Sequence, residues 1–204
     1  MAGELIFRGA EADVHRGSFL GVACVVKRRL PKAYRHPELD ARIRRERTRN
    51  EALITAEAHA AGVPTPRVLD VDVPASTLLL EAIEGATLRD ALRGPGNHLA
   101  QCRAFGAIVG RLHGAGLVHG DLTTSNVLVT SEGPALIDFG LAQRSREVED
   151  CGVDLSLVER TFAATHPDRP EFHAAFIEGY QSSFPDADAA LQRARDVRGR
   201  GRYA

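Results

Sequence analysis

The 204-residue sequence contains little cysteine and no long run of apolar residues. Its cysteines, Cys24, Cys102 and Cys151, are odd in number, far apart and without metal-ligand spacing, which argues against a disulfide framework or a zinc site. No apolar stretch approaches the length of a membrane span, and Arg8 interrupts the first apolar residues too early for a secretory signal. We therefore expect an intracellular protein of a reducing compartment, with no membrane contact.

Three motifs common in protein kinases are also missing. A Gly-x-Gly-x-x-Gly loop is absent, Gly120 stands where kinases have the arginine of His-Arg-Asp, and no Ala-Pro-Glu follows residue 140. Without that arginine, activation by a phosphorylated loop is not expected, because the arginine is what pairs with the phosphate. The 64 residues after Gly140 leave little material for a peptide-binding platform.

What is present is a pair of motifs typical of phosphoryl transfer. Residues 118–126 contain His-Gly-Asp and an asparagine five positions after the aspartate, and residues 138–140 are Asp-Phe-Gly. In this arrangement Asp121 is the candidate catalytic residue that faces the attacking hydroxyl or water. Asn126 and Asp138 are the candidate metal ligands, because hard oxygen donors suit Mg²⁺.

The residues between these motifs predict a β-hairpin. Residues 127–129 and 135–137 are apolar and strand-like, and residues 131–134 form a good turn sequence. Such a hairpin would place Asn126 and Asp138 at adjacent strand ends, where both could reach one cation.

The first part of the chain predicts a β-rich lobe followed by a long helix. Lys27 ends an apolar run and is the candidate contact to the α- and β-phosphates of ATP. The helix is predicted from Pro37 to Gly62 by its apolar spacing and by its start and stop signals. Glu51, in mid-helix, is the candidate ion-pair partner of Lys27, and a surface pair with a nearby arginine is the alternative. Short strands are predicted at residues 5–7, 13–16 and 21–27.

Residues 78–85 predict a buried strand that runs into a connector between two lobes. By position, the Glu81 carbonyl and the Ile83 amide would meet the purine edge of ATP, although a plain core strand and turn would give the same pattern. A core helix is predicted over residues 99–112. The expected fold is therefore α+β, a minimal bilobal protein-kinase-like domain over residues 1–204. Its β-rich N-lobe would cover residues 1–84 and its shortened helical C-lobe residues 85–204, with a basic tail at 193–204.

The net charge of −1 hides an uneven distribution. Residues 27–50 carry ten basic against three acidic side chains, and residues 193–204 carry five against one. Such tracts suit a nucleic-acid backbone, because neutralised phosphates release counterions. A solvated helix face and a frayed tail would give the same composition.

Together these residues resemble the small atypical kinase subunit of the KEOPS (EKC) complex over nearly the whole chain. By that resemblance Lys27, Glu51, Asp121, Asn126 and Asp138 keep the roles given above, with ATP and Mg²⁺ as cofactors. The turn of Gly9, Ala10, Glu11 and Ala12 takes the place of the phosphate cover, and Asp154 matches the helix aspartate that braces a kinase catalytic loop. The motifs that carry the resemblance are residues 8–12, 31–40, 119–126, 165–167 and 200–202.

The resemblance implies ATP hydrolysis in support of threonylcarbamoyladenosine formation at position 37 of tRNA. It implies contacts with the carbamoyltransferase subunit, with a further regulatory subunit and, through residues 27–49 and the arginine-rich tail, with tRNA. It also implies a cytoplasmic location, and a nuclear one in a eukaryote. A dedicated Ser/Thr protein kinase, with or without autophosphorylation, and a nucleotide-binding scaffold remain as alternatives. A small-molecule phosphotransferase would need a larger acidic C-terminal lobe.

Overall fold

The computed structural model describes residues 3–200, except for the side chains of residues 198–200. Its architecture is α+β, as predicted, with an antiparallel sheet and one long helix before a helical region. Among the described residues, no helix is both long and apolar enough to cross a membrane. The strands are β1 Leu5–Arg8, β2 Ala12–Phe19, β3 Val22–Arg29, β4 Val68–Asp72, β5 Thr77–Glu81, β6 Ala86–Thr87, β7 Leu117–Val118, β8 Val127–Thr130, β9 Gly133–Leu136 and β10 Gln143–Arg144. The helices are α1 Pro37–Ala60, α2 Leu88–Ala91, α3 His98–Gly114, α4 Val148–Thr165, α5 Pro170–Gln181 and α6 Ala187–Arg200.

The N-terminal sheet has five antiparallel strands in the order β1-β2-β3-β5-β4. On the central strand β3, Lys27 lies opposite Val14 of β2 and Leu78 of β5. Successive side chains of a strand point to opposite faces, so Lys27 and Arg29 share one face of the sheet. That face is turned towards α1, since both side chains reach Glu51.

Helix α1 confirms the predicted long helix. It begins at Pro37, as expected for a proline in the first turn, and ends at Ala60, two residues before Gly62. Its inner face joins the two parts of the fold. Ala52 packs with the sheet, whereas Ile54 and Ala58 belong to the main hydrophobic cluster of the helical region.

That main cluster is built around α3. This helix was predicted over residues 99–112, and in the structure it is slightly longer, from His98 to Gly114. Helix α3 packs against α5 at very short range because each contributes a glycine to the contact. A Cβ atom on Gly106 would lie 1.9 Å from the carbonyl oxygen of Phe176, and one on Gly179 would lie 1.8 Å from that of Arg103. The close approach therefore depends on the absence of side chains at both positions.

We expect Gly106→Ala to lower the free energy of unfolding by about 3 kcal/mol, because the added methyl group meets backbone that cannot rotate away. In a chain of this size the midpoint of thermal unfolding should fall by roughly 6–12 °C. Gly114→Ala is the matched control in the same helix, since its Cβ would have no neighbour closer than 3.9 Å. Equal stability of the two variants would contradict the packing described above.

Candidate active site

An ion pair between the sheet and α1 lies at the centre of the site. Lys27 Nζ donates a hydrogen bond to Glu51 Oε1 at 2.7 Å and another to Asp138 Oδ1 at 2.6 Å. Burial by itself would lower the pKa of Lys27, but the charges of Glu51 and Asp138 outweigh it and raise the pKa. The predicted pairing of Lys27 with Glu51 is thus confirmed, and Lys27 is held in its charged form. Its contact with a nucleotide stays a prediction.

In the Asp138 carboxylate, Oδ1 accepts hydrogen bonds from the protein, and Oδ2 remains for another partner. Oδ1 accepts hydrogen bonds from Lys27 and from the Gly140 amide, and the side chain is about half exposed. Burial would raise the pKa of Asp138, but the adjacent Lys27 charge and these hydrogen bonds lower it overall, so the carboxylate is ionised. The residue has a φ of 63°, in the left-handed region that non-glycine residues rarely adopt. Backbone strain of this kind concentrates at functional sites.

The predicted hairpin between the two motifs is confirmed. Strands β8 and β9 are paired, and the Ile137 amide donates to the Asn126 carbonyl at 3.0 Å, which brings Asn126 beside Asp138 in the fold. The predicted turn of residues 131–134 was too long. Gly133 and Pro134 already belong to β9, opposite Thr130 and Val129, because a two-residue turn is sufficient to connect antiparallel strands.

Asn126 also links the candidate metal site to Asp121. Its amide nitrogen donates to the Asp121 carbonyl at 2.9 Å and to Asp121 Oδ2 at 3.0 Å. These bonds orient the asparagine so that its side-chain oxygen remains for another partner. An amide oxygen and an ionised carboxylate form the hard oxygen donor set that Mg²⁺ prefers, so Asn126 and Asp138 fit the ion.

The loop that carries Asp121 is held in place by the buried carboxylate of Asp154. Asp154 Oδ2 accepts from the His119 amide at 2.6 Å, and Oδ1 accepts from the Gly120 amide at 2.8 Å. His113, itself bonded to the Tyr180 hydroxyl at 2.8 Å, approaches the same carboxylate at 3.3 Å. Asp154 is 1% exposed, which excludes the alternative of an ordinary surface acid. The bracing expected of Asp154 is observed.

Gly120 is required by the geometry of this loop. Its φ is 78°, and a Cβ atom would lie 2.4 Å from the carbonyl oxygen of Leu141. An arginine at this position, as in His-Arg-Asp kinases, would collide with the segment that follows Gly140. The missing arginine is therefore a consequence of how closely the two loops pack.

The turn of residues 9–12 is tied to the N-lobe by basic side chains. The Gly9 amide donates to the Ala12 carbonyl at 2.9 Å, and Lys32 Nζ donates to the Ala10 carbonyl. Glu11 accepts from Arg47 at 2.6 Å. The contact of this turn with a nucleotide stays a prediction, whereas its anchoring by the basic segment is a finding.

Arg29 is a site residue that the sequence reasoning missed. It is 5% exposed, donates to Glu51 Oε2 at 2.6 Å and reaches Glu11 Oε2 at 3.3 Å. Glu51 thus bridges two cations and Arg29 bridges two carboxylates. The sequence spacing could have identified Arg29, because residues two apart on a strand lie on one face, and Arg29 is two residues after Lys27.

Most of the candidate residues line two cavities, and Glu51 and Asn126 line neither of them. One, of about 300 Å³, contains Lys27, Asp121 and Asp138 together with the turn of residues 9–12. The other, of about 600 Å³, is lined by Glu81 and Ile83, the segment after α1 and the β8–β9 hairpin. The Glu81 carboxylate pairs with Arg67 at 2.9 Å. The structure therefore does not place the connector and the catalytic residues in one cavity, and the purine contact stays a prediction.

The chain is similar to known proteins both in sequence and in fold. Residues 26–162 match the model of the RIO domain. A solved structure of the Rio2 kinase–ADP/Mg²⁺–phosphoaspartate complex from Chaetomium thermophilum superposes with a TM-score of 0.65 at 18% identity, covering 99% of this chain and 71% of that one. At this identity the likeness concerns the fold alone, and it confirms the kinase-like architecture.

Two sequence relatives extend the similarity to nearly the whole chain. The chain is 41% identical to a Mus musculus protein named EKC/KEOPS complex subunit Tp53rkb, covering 98% of this chain and 86% of the mouse protein. It is 43% identical to a probable bifunctional tRNA threonylcarbamoyladenosine biosynthesis protein of Methanosarcina mazei, covering 99% of this chain but 36% of that protein. The chain thus spans about a third of the archaeal relative. These matches confirm the resemblance drawn from the motifs, and the chain belongs to the RIO domain family, among the relatives of this EKC/KEOPS subunit.

Proposed function

We propose that this chain binds Mg²⁺-ATP and hydrolyses it in support of threonylcarbamoyladenosine formation at position 37 of tRNA. The observation that carries the proposal is the grouping of Lys27, Asp121 and Asp138 around one cavity, with Glu51 paired to Lys27. The names of the mouse and archaeal relatives support the link to tRNA modification.

The residues that line the cavity and those that hold them divide the chemistry between them. Lys27 lies where its charge can neutralise phosphate oxygens, and Glu51 keeps the ammonium group aligned. Asp121, oriented by Asn126, holds the attacking oxygen and accepts its hydrogen bond. When bound by Asn126 and Asp138, Mg²⁺ would neutralise further phosphate charge.

Water is the favoured nucleophile because the structure offers a peptide little to dock on. Residues 141–147 alone separate Asp-Phe-Gly from α4, and two of them, Gln143 and Arg144, are paired in β10 with β7. This segment is also packed against Gly120. An extended activation segment therefore has no room between these elements.

The partners of this chain are proposed from its resemblance to the EKC/KEOPS subunit. We propose contacts with the carbamoyltransferase subunit of the complex, with a further regulatory subunit and with tRNA. The location would be cytoplasmic, and nuclear as well in a eukaryote. Of the arginine-rich tail, residues 201–204 lie outside the described residues.

ATP turnover by the purified chain tests the proposal, measured alone and with the transferase partner and tRNA, with free phosphate scored against phosphate left on protein. Free phosphate that increases with partner and tRNA is the expected result. Abundant phosphoprotein without free phosphate would identify a dedicated Ser/Thr protein kinase. Nucleotide binding without either product would identify a nucleotide-binding scaffold.

A further inference from the structure

The cavity that contains Lys27 has more negative than positive charge on its wall. In the part of the chain that the structure describes, its charged lining side chains are Glu11, Lys27, Arg29, Asp121 and Asp138. The phosphates of a nucleotide are themselves negative, so under the proposed function they would enter beside three carboxylates. A metal ion at Asp138 would offset part of this charge. Besides Lys27, the cation that lines this cavity is Arg29.

Backbone amides do not surround this cavity as they do in a Gly-x-Gly-x-x-Gly loop. That sequence is absent, and the turn of residues 9–12 lines the cavity instead. The amide of Gly9, the one glycine of this turn, already donates to the Ala12 carbonyl at 2.9 Å. A side-chain donor is therefore needed where protein kinases use their glycine-rich loop.

Arg29 and Lys27 are neighbours beside the Asp-Phe-Gly turn. A Cβ atom on Gly140 would lie 3.3 Å from Arg29 Nη2 and 3.4 Å from Lys27 Nζ. Both cations are fixed by one buried carboxylate, since Glu51 Oε1 accepts from Lys27 at 2.7 Å and Glu51 Oε2 accepts from Arg29 at 2.6 Å. The two cations are therefore held side by side on the wall of one cavity.

Each cation has one further carboxylate partner, and that partner also lines the cavity. For Lys27 it is Asp138, and for Arg29 it is Glu11. The contact from Arg29 Nη1 to Glu11 Oε2 is long, at 3.3 Å, against 2.6 Å between Lys27 and Asp138. Glu11 is also the outer member of its pair, with 45% of its side chain exposed against 5% for Arg29. An anion that enters the cavity can therefore replace Glu11 on Arg29.

Glu11 keeps a partner when it leaves Arg29. Arg47 Nη1 donates to Glu11 Oε1 at 2.6 Å, and Arg47 does not line the cavity. The hydrogen bond from Arg47, with the charges of Arg47, Arg29 and Arg35, outweighs burial and lowers the pKa of Glu11, so its carboxylate is ionised. In the empty site, Arg29 thus carries an internal anion that a second arginine also holds.

We propose that Arg29 is a second phosphate ligand of the nucleotide site, and that Glu11 occupies it as an internal counter-ion while the site is empty. A guanidinium group has several N–H donors in one plane, so it can keep Glu51 on one side and bind a phosphate oxygen on another. Arg29 then supplies from β3 the contact that a glycine-rich loop supplies in protein kinases. The inference rests on the proposed function, because it takes the ligand to be a nucleotide.

Substitution of the two partners should change nucleotide affinity in opposite directions. The affinity is measured by isothermal titration calorimetry of the full chain with Mg²⁺ and the non-hydrolysable analogue adenylyl imidodiphosphate, and adenosine is the phosphate-free ligand. Arg29→Gln should weaken binding of the analogue at least about tenfold, because a hydrogen bond between charged groups is lost. Glu11→Gln should strengthen it roughly two- to fivefold, because a competing carboxylate is removed. The affinity for adenosine should stay unchanged in both variants.

Arg29→Lys separates the charge of the side chain from its geometry. A lysine keeps the positive charge but lacks the planar set of donors, so its affinity for the analogue should lie between those of wild type and Arg29→Gln.

The pair of Arg103 and Glu178 provides matched controls. It joins an exposed arginine to an exposed glutamate at 2.6 Å and lies outside the cavity. Arg103→Gln and Glu178→Gln change the net charge by the same amounts as the test variants, and both should keep wild-type affinity for the analogue.

A purely structural ion pair would give a different pattern. If Arg29 and Glu11 only hold the turn in place, both substitutions weaken binding of the analogue, and the inference is overturned. Unchanged affinity in Arg29→Gln, equal losses for the analogue and adenosine, or no binding of the analogue by the wild-type chain would overturn it as well. If Arg29→Gln does not fold, Glu11→Gln decides, because tighter binding supports the inference and weaker or unchanged binding contradicts it.

The same experiments separate this inference from the proposed function. If the affinities change as expected but the chain hydrolyses no ATP, the proposed function fails while the phosphate ligand stands. If ATP is hydrolysed and both variants bind the analogue like wild type, the phosphate ligand fails while the proposed function stands.

Discussion

Asp138→Asn is expected to lower ATP turnover by about three orders of magnitude while leaving the fold intact. The change removes the negative charge of a candidate Mg²⁺ ligand but keeps the shape of the side chain. A metal ion contributes several kcal/mol to the stabilisation of transition-state charge, and a loss of ~4 kcal/mol corresponds to about a thousandfold in rate. Lys27 is mostly buried but keeps its ion pair with Glu51 in this variant, and the asparagine side chain can still accept its hydrogen bond, so the unfolding midpoint should change by no more than a few degrees. Initial rates of phosphate release at saturating Mg²⁺-ATP measure the effect.

A suitable control for this variant is Asp90→Asn. Asp90 is exposed to a similar extent and also pairs with an arginine, Arg89, but it lies on α2 and outside the cavity. It should keep wild-type turnover. If Asp138→Asn also retained wild-type turnover, Asp138 would not be a metal ligand, and the assignment of the cavity as a phosphoryl-transfer site would be wrong.

Asp154→Ala should have the largest effect on stability, a loss of about 3–5 kcal/mol. The carboxylate is buried and accepts hydrogen bonds from the amides of His119 and Gly120. Its removal leaves both amides and His113 without their acceptor in the interior, and each unsatisfied group costs about 1–3 kcal/mol. The midpoint of thermal unfolding should fall by roughly 10 °C or more. ATP turnover should fall too, since the loop that carries Asp121 loses its brace.

The pH dependence of this loss distinguishes a charged brace from simple loss of packing. Burial would raise the pKa of Asp154, but hydrogen bonds from His113 and the amides, with the nearby histidines, lower it below its ordinary value of 3.8. A carboxyl whose pKa is depressed by folding adds stability above its unfolded pKa and loses it as the pH falls through its folded pKa. The difference in unfolding free energy between wild type and Asp154→Ala should therefore be full above about pH 5 and shrink progressively below it. A difference that stays constant from pH 6 down to pH 3 would contradict the ionised brace.

Asp154→Asn provides a second check on the same residue. An asparagine fits the space, but its amide group must turn its own N–H towards one of the two backbone donors that the carboxylate accepts. We therefore expect this variant to be destabilised as well, by about 1–3 kcal/mol. Wild-type stability of Asp154→Asn would show that only one of the two backbone hydrogen bonds matters.

Local sequence patterns were sufficient to predict an element wherever its own residues specify it. Helix α1 has a proline in its first turn, apolar spacing along its inner face and a glycine beyond its end, and it forms where predicted. The hairpin from Asn126 to Asp138 follows from two short apolar runs around a polar turn. Lys27 and Glu51 could be paired in advance because kinase-like lobes pair a strand lysine with a glutamate of the following helix, and the structure shows this pair.

Side-chain partnerships between distant segments could not be predicted in this way. The composition of residues 27–50 showed a strong positive charge, but it could not show that Glu11, Asp40 and Glu51 neutralise half of the basic side chains. Glu11 and Glu51 reach Arg29 only through the packing of β3, α1 and the turn before β2, whereas Asp40 pairs with Arg44 one turn along the same helix. The need for glycine at position 120 also depends on a backbone oxygen of Leu141 that is distant in sequence.

The sequence by itself therefore determined the kinase-like class, helix α1, the core of α3 and the hairpin of β8 and β9, and it supplied the candidate residues for phosphoryl transfer, because motifs and periodicity are local properties. Only the tertiary structure decided which arginines face solvent and which of them are neutralised by Glu11 and Glu51. It alone also showed that Glu81 and Ile83 line a different cavity from Lys27. The physical reason is that burial and charge compensation depend on distances between segments that are far apart along the chain.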